Sequence, residues 1–265
     1  MSKPKVAVYK FSSCDGCQLS LLNLEDELLD LAGAVDLAYF LEATRRIIPG
    51  PYDIALVEGS ITTPHEVERI QEVRREAKFL IALGTCSTSG GIQALRNFAD
   101  VEDLSQVVYP HPEFLHTLKT SSPLSEYVTV DLELWGCPVN RYQLLEVLIA
   151  LLGNRKPMLP THCVCLDCKR NGIACVMVAH GIACLGPVTR SGCNALCPSS
   201  ARGCYGCFGP IPDANIPAMV PLLKTVEAYP GETAHLFRSI SANAPRFRQA
   251  VDRLGDHQAR KEVSR

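Results

Sequence analysis

Through about Asn154 the chain alternates short apolar runs with stretches whose apolar positions recur every three or four residues, as strands joined by crossover helices do. The runs Lys5–Phe11, Val35–Leu41, Asp53–Ile61, Lys78–Gly84 and Val128–Trp135 predict five strands. Between them, Leu21, Leu24, Leu28 and Leu31 form one helical stripe, and Val67, Ile70, Val73 and Ala77 form another. Each stripe can face a sheet. Thr63, Pro64 and Glu66 carry a helix-start signal: an N-cap, a proline at the first helical position and a glutamate able to close a capping box. A third helix is predicted from Asn140, with Gln143 in a similar relation, to Gly153. Strands alternating with helices imply an α/β fold with a parallel sheet.

From about Pro157 the periodicity dissolves. Eight of the 13 cysteines crowd between Cys165 and Cys207, amid glycine and proline. Such a segment has little apolar surface to bury, so metal ligation is expected to staple it. After Pro210 the pattern becomes ordinary again, and Pro245–Arg265 reads equally as a polar helix or a frayed tail. Two domains are therefore expected, residues 1–155 and 156–265.

Composition narrows the function. With 47% hydrophobic residues, 20% charged and a net charge of -2, neither a disordered chain nor a nucleic-acid binder is indicated. The longest apolar run, Leu144–Leu152, is interrupted by Glu146 and falls far short of the roughly 20 residues of a membrane span. The start, MSKPKVAVYK, lacks the regions of a secretory signal, so a cytoplasmic location is expected. Thiols there are kept reduced, and close-spaced cysteines point to metal or redox chemistry rather than disulfides.

Cys14 and Cys17 form a C-x2-C pair after the first predicted strand; Cys86 follows the fourth, and Cys137 follows the fifth. In an open α/β sheet the carboxyl ends of strands converge where ligands bind. Four thiolates would thus meet as a [4Fe–4S] cluster requires, with Gly84 and Gly136 permitting tight turns. Either Cys86 or Cys137 taken alone would read as an ordinary buried cysteine.

The remaining eight suffice for two more four-thiolate sites. Contiguity groups Cys165, Cys168, Cys175 and Cys184 in one set, and Cys193, Cys197, Cys204 and Cys207 in the other, each with one C-x2-C chelate. Zinc is the competing reading, but the span from Cys168 to Cys204 far exceeds the about 15–20 residues between zinc knuckles. Cys163 is left over as a spare thiol. His162 stands in H-x2-C relation to Cys165, which leaves histidine ligation open as a lesser alternative.

SCDGCQLSLL, VEGSI, GTCSTSGG and GCPVNR, with CLGPVTRSGCNALCP and GCYGCFGP, resemble the small subunits of nickel–iron hydrogenases over roughly Val6 to Pro210. The resemblance is to the cytosolic sulfhydrogenase or NADP-coupled branch. It departs at Val139, where relatives often carry a second proline. It implies a flavodoxin-like first domain followed by a loop-rich cluster domain. It also implies three [4Fe–4S] clusters: a proximal one on Cys14, Cys17, Cys86 and Cys137, a medial one on Cys193, Cys197, Cys204 and Cys207, and a distal one on Cys165, Cys168, Cys175 and Cys184. The nickel–iron site would lie on a partner large subunit. Flavin- and NAD(P)-binding and iron–sulfur subunits would accept electrons, since no G-x-G-x-x-G follows a strand here. Glu58 in VEGSI is expected to position its loop, with a part in proton movement as the second reading. Alternatives within the family are a coenzyme F420-reducing or heterodisulfide-reductase-linked hydrogenase. Outside it stand a flavodoxin-like carrier and a zinc-stapled interaction protein.

Overall fold

A computed structural model describes residues 3–263. The chain forms two compact units, Met1–Leu159 and Pro160–Arg265. The first contains strands β1 (Lys5–Lys10), β2 (Asp36–Phe40), β3 (Tyr52–Glu58), β4 (Ala77–Leu83) and β5 (Leu132–Leu134). They pair in parallel in the order β2-β1-β3-β4-β5. The helices of this unit are α1 (Gly16–Leu22), α2 (Asp26–Ala34), α3 (Pro64–Glu76), α4 (Gly84–Ser89), α5 (Val101–Val108) and α6 (Arg141–Leu152).

The two-residue period of a strand divides its side chains between two cores. Val6, Val8, Ile54, Leu56, Ile81 and Leu83 face one, where Leu21, Leu24, Leu31, Leu144, Val147 and Leu148 pack. Ala7, Tyr9, Ala55, Val57, Leu80 and Ala82 face the other, with Ile70 and Val73 of α3. Burial on both faces explains why the strands read as unbroken apolar runs.

The helix-start signal at Thr63 is realised in full, with Glu66 N donating to Thr63 Oγ1 at 3.2 Å and Thr63 N donating to Glu66 Oε2 at 3.0 Å. Asn140 Oδ1 caps α6 by accepting from Tyr142 N and Gln143 N. The first leucine stripe is carried by two helices rather than one, because the chain breaks at Glu25, whose φ is 56°. Leu21, Leu24 and Leu31 are buried despite the break. The fifth strand is shorter than expected, since Val128 and Val130 pack on the second core from irregular backbone.

The second unit contains helices α7 (Val164–Arg170), α8 (Val176–His180), α9 (Leu196–Ser199), α10 (Ile216–Lys224), α11 (Glu232–Phe237) and α12 (Pro245–Val263). A small apolar core lies beside the cysteine segment, built mainly from residues after Pro210. Ile216, Met219, Leu223, Phe237, Phe247 and Val251 are buried, and Phe237 meets Phe247 edge-on at 5.4 Å. The cysteine loops rest on this core: a Cβ at Gly206 would lie 2.9 Å from Phe247 and 3.0 Å from Leu185. The last stretch is helical through Val263, and its buried Phe247, Ala250, Val251 and Leu254 recur at helical spacing. Ser264 and Arg265 lie outside the described residues. Among the described residues, no helix is long and apolar enough to cross a membrane.

Candidate functional site

Parallel strands bring their carboxyl ends to one edge, and the order β2-β1-β3-β4-β5 places the topological switch point between β1 and β3. A flavodoxin seats its phosphate in the loop at that point. Here the loop carries Cys14 and Cys17, with the carboxyl groups of Asp15 and Glu58 close by, chemistry unsuited to an anion. Cys86 lies in α4 directly after β4, and Cys137 follows β5. Thr85 N donates to Gly136 O at 2.8 Å, which ties these two cysteine loops together.

The four thiols are neighbours. Burial pushes the Cys17 thiol well up, with Glu58, Cys86 and Cys137 adding to the shift. Burial likewise pushes Cys86 up to about 11; hydrogen bonding to Gln93 opposes this, while Cys137 and Cys14 reinforce it. Cys137 is raised by burial and then by Cys14. Iron bound among these thiols would supply the positive charge that favours their ionised form.

Glycine makes the approach possible. Gly84 adopts φ +85°, and a Cβ there would stand 2.4 Å from Cys17 Sγ. A Cβ at Gly91, φ +64°, would stand 2.6 Å from Cys86 Sγ. The space against the sulfurs thus depends on missing side chains.

Glu58 ends β3 and is 1% exposed. Its carboxylate accepts from Cys17 N at 3.0 Å and from Gln18 N at 3.3 Å, so it holds the start of α1. Burial raises its pKa against the opposing effect of those hydrogen bonds.

In the second unit Cys165, Cys168, Cys175 and Cys184 form another neighbourhood. Burial pushes the Cys165 thiol up to about 12, with Cys163, Cys184, Cys168 and Cys175 all contributing. Cys168 is raised by burial and then by Cys184 and Cys175. Of the remaining four, Cys197 is raised by burial and then by Cys193, while Cys204 is raised by burial, with Cys184 and Cys207 adding to it. Cys184 adjoins both sets, because its Sγ accepts from Gly186 N at 3.4 Å and from Cys204 N at 3.2 Å. Cys163 stands at the N-cap of α7 and bridges Arg190 through the backbone.

His162, the alternative ligand, is turned to a carboxylate instead: its Nε2 lies 3.0 Å from Asp167 Oδ1. Asp167 is buried and also accepts from Ser191 Oγ at 2.6 Å. The sequence reading overlooked this Asp167 group. A carboxylate inside the C-x2-C of CLDC was the available signal, since a buried acid requires partners. Gln93 was overlooked too, and only the turn at Gly90–Gly91 brings it to Cys86. Among the described residues, no three His, Cys, Asp or Glu side chains are placed to hold a single metal ion.

A family described as NADH ubiquinone oxidoreductase, 20 Kd subunit, matches residues 14–151. Sulfhydrogenase 2 subunit delta of Pyrococcus furiosus is 38% identical over 222 residues, covering 84% of this chain and 93% of that protein. The chain belongs to this family, among its nickel–iron hydrogenase small subunits. A subunit of the F420-non-reducing hydrogenase vhu of Methanocaldococcus jannaschii is 34% identical over 77% of the chain and 81% of that protein. A chain of the NAD+-reducing [NiFe]-hydrogenase in the H2-reduced state superposes with a TM-score of 0.56 at 32% identity, covering 60% of this chain and 96% of that one. The hydrogenase small subunit is thus an oxidoreductase component with an α/β sheet domain, as the motifs implied.

Proposed function

We propose that this small subunit relays electrons from H2, oxidised at the nickel–iron centre of a large subunit, through three [4Fe–4S] clusters to a flavin- and NAD(P)-binding partner in the cytoplasm. The observation that carries the reading is the gathering of Cys14, Cys17, Cys86 and Cys137, from three separate segments that follow β1, β4 and β5, at the carboxyl edge of the sheet. When bound, the clusters supply reversible one-electron transfer. Residues 1–155 carry the proximal site on those four cysteines. Residues 156–265 carry the medial site on Cys193, Cys197, Cys204 and Cys207 and the distal site on Cys165, Cys168, Cys175 and Cys184.

The chain's own residues hold and insulate these sites. The four proximal thiolates fix the cluster at the sheet edge, and Gly84 and Gly91 leave it room. Burial of Cys17 excludes water, which keeps the environment of the transferred charge of low polarity. Glu58 positions the chelate loop through Cys17 N and Gln18 N. NAD(P) as the final acceptor is supported by the NAD+-reducing hydrogenase among the similar structures.

Cys86→Ala in the assembled complex tests the relay. H2-dependent reduction of the acceptor should fall to background while the signals of the other two clusters persist. Wild-type transfer rates in this variant would remove the proximal assignment.

A further inference from the structure

Gln93 is the second residue of the 3-10 helix Ile92–Phe98, which directly follows Gly90 and Gly91. Both glycines take left-handed φ, +88° and +64°, so the chain doubles back over Cys86. The Gln93 side chain then reaches two groups. Its Nε2 donates to Ser12 O at 2.6 Å and lies 3.6 Å from Cys86 Sγ, and its Oε1 is also 3.6 Å from that sulfur.

The orientation of the amide follows from chemistry. Ser12 O is a carbonyl and only accepts, so the end of Gln93 beside it must be the nitrogen. One N–H is used there, and the second remains for Cys86. Against a free thiol, Sγ–H can donate to Oε1. Against an iron-bound thiolate, which only accepts, the remaining Nε2–H is the available partner.

We propose that Gln93 is a positioning residue that donates a hydrogen bond to the Cys86 thiolate and thereby raises the reduction potential of the proximal cluster. Reduction adds negative charge to the cluster and its sulfurs, and a donor to a ligand sulfur stabilises the reduced form more than the oxidised one. Ser12 belongs to the loop that leads to Cys14, so the same amide also ties the Cys14 loop to the Cys86 loop. The proposal rests on the cluster assignment above.

The test uses the assembled hydrogenase complex carrying Gln93→Met, which keeps the side-chain length and loses the donor, and Gln93→Glu, which keeps the shape and adds charge. Iron and acid-labile sulfide are measured first, then the proximal potential by redox titration followed by electron paramagnetic resonance. Gln93→Met should lower the reduced-to-oxidised ratio at a fixed potential about tenfold, equivalent to about 59 mV for one electron. Gln93→Glu should lower it further. A full iron content with an unshifted potential in both variants overturns the role of Gln93 and leaves the cluster assignment standing. Absence of a cluster on the four cysteines of the wild type overturns both.

A second measurement does not depend on the variants folding. In the wild-type complex with side-chain amides of glutamine labelled with nitrogen-15, pulsed resonance on the reduced proximal cluster should show coupling to a labelled nitrogen. Its absence overturns the proposal.

Discussion

Gly84→Ala probes the contact on which the first site depends. Gly84 adopts φ +85°, a region where a residue with a Cβ costs about 1–3 kcal/mol. The new methyl would also stand 2.4 Å from Cys17 Sγ and 3.3 Å from Gly136 O. Ordinary contact begins at 3.4 Å, so the sulfur must retreat by about 1 Å, from 2.4 to 3.4 Å. A ligand displaced that far would leave bonding distance of its own iron in a cluster anchored by the three other cysteines. Backbone strain alone should lower the melting temperature by several degrees, at about 2–4 °C per kcal/mol for a unit of this size. Gly181→Ala is the control: φ is +64° and nothing lies within 4 Å, so it carries strain without a displaced sulfur. Calorimetry and iron analysis of both purified complexes decide the matter. Gly84→Ala should lose stability and proximal iron, and Gly181→Ala should lose stability alone. Full iron and an unchanged proximal spectrum in Gly84→Ala would refute the reasoning.

Three further outcomes follow from other parts of the molecule. Thr63→Ala removes the acceptor of Glu66 N and should lower stability by about 1 kcal/mol in urea unfolding. Asp167→Ala strips partners from Ser191 Oγ and His162 Nε2 and should cost about 1–3 kcal/mol, with Asp167→Asn costing less because it keeps an acceptor; thermal unfolding measures both. The side chain of Arg155, and then Met158 N, hold the Glu146 carboxyl down at about 2, below its ordinary 4.5. Its folded pKa lies below the unfolded one, so the contribution is complete above pH 4.5 and fades as pH falls towards 2. Glu146→Gln should flatten the acid limb of the stability curve in that window, by a small and salt-sensitive amount because the pair is solvated.

The sheet was legible because strands buried on both faces leave apolar runs that no surface helix imitates, and β1, β3 and β4 fall within the runs read from the sequence or a residue beyond them. The start of α3 was legible because Thr63, Pro64 and Glu66 act locally. The break at Glu25 was not, since a leucine stripe continues across it and burial, not backbone pattern, preserves the spacing. The C-terminal core was missed for a related reason: Phe247, Val251 and Leu254 are sparse among charged residues, and their burial depends on partners in α10 and α11. At the candidate site the cysteines announce themselves by type and spacing. Their supporting groups do not. Gln93 and Asp167 are ordinary polar residues whose roles exist only once turns bring Ser12, Cys86, His162 and Ser191 within hydrogen-bonding distance.

The most direct measurement is the iron and acid-labile sulfide content of the anaerobically purified, matured small subunit in its complex, read with its reduced paramagnetic spectrum. Three four-iron clusters predict about twelve iron and as many sulfides on this chain, with three interacting reduced signals. Stoichiometric zinc with no sulfide, or fewer than about four iron on this chain, would contradict the account.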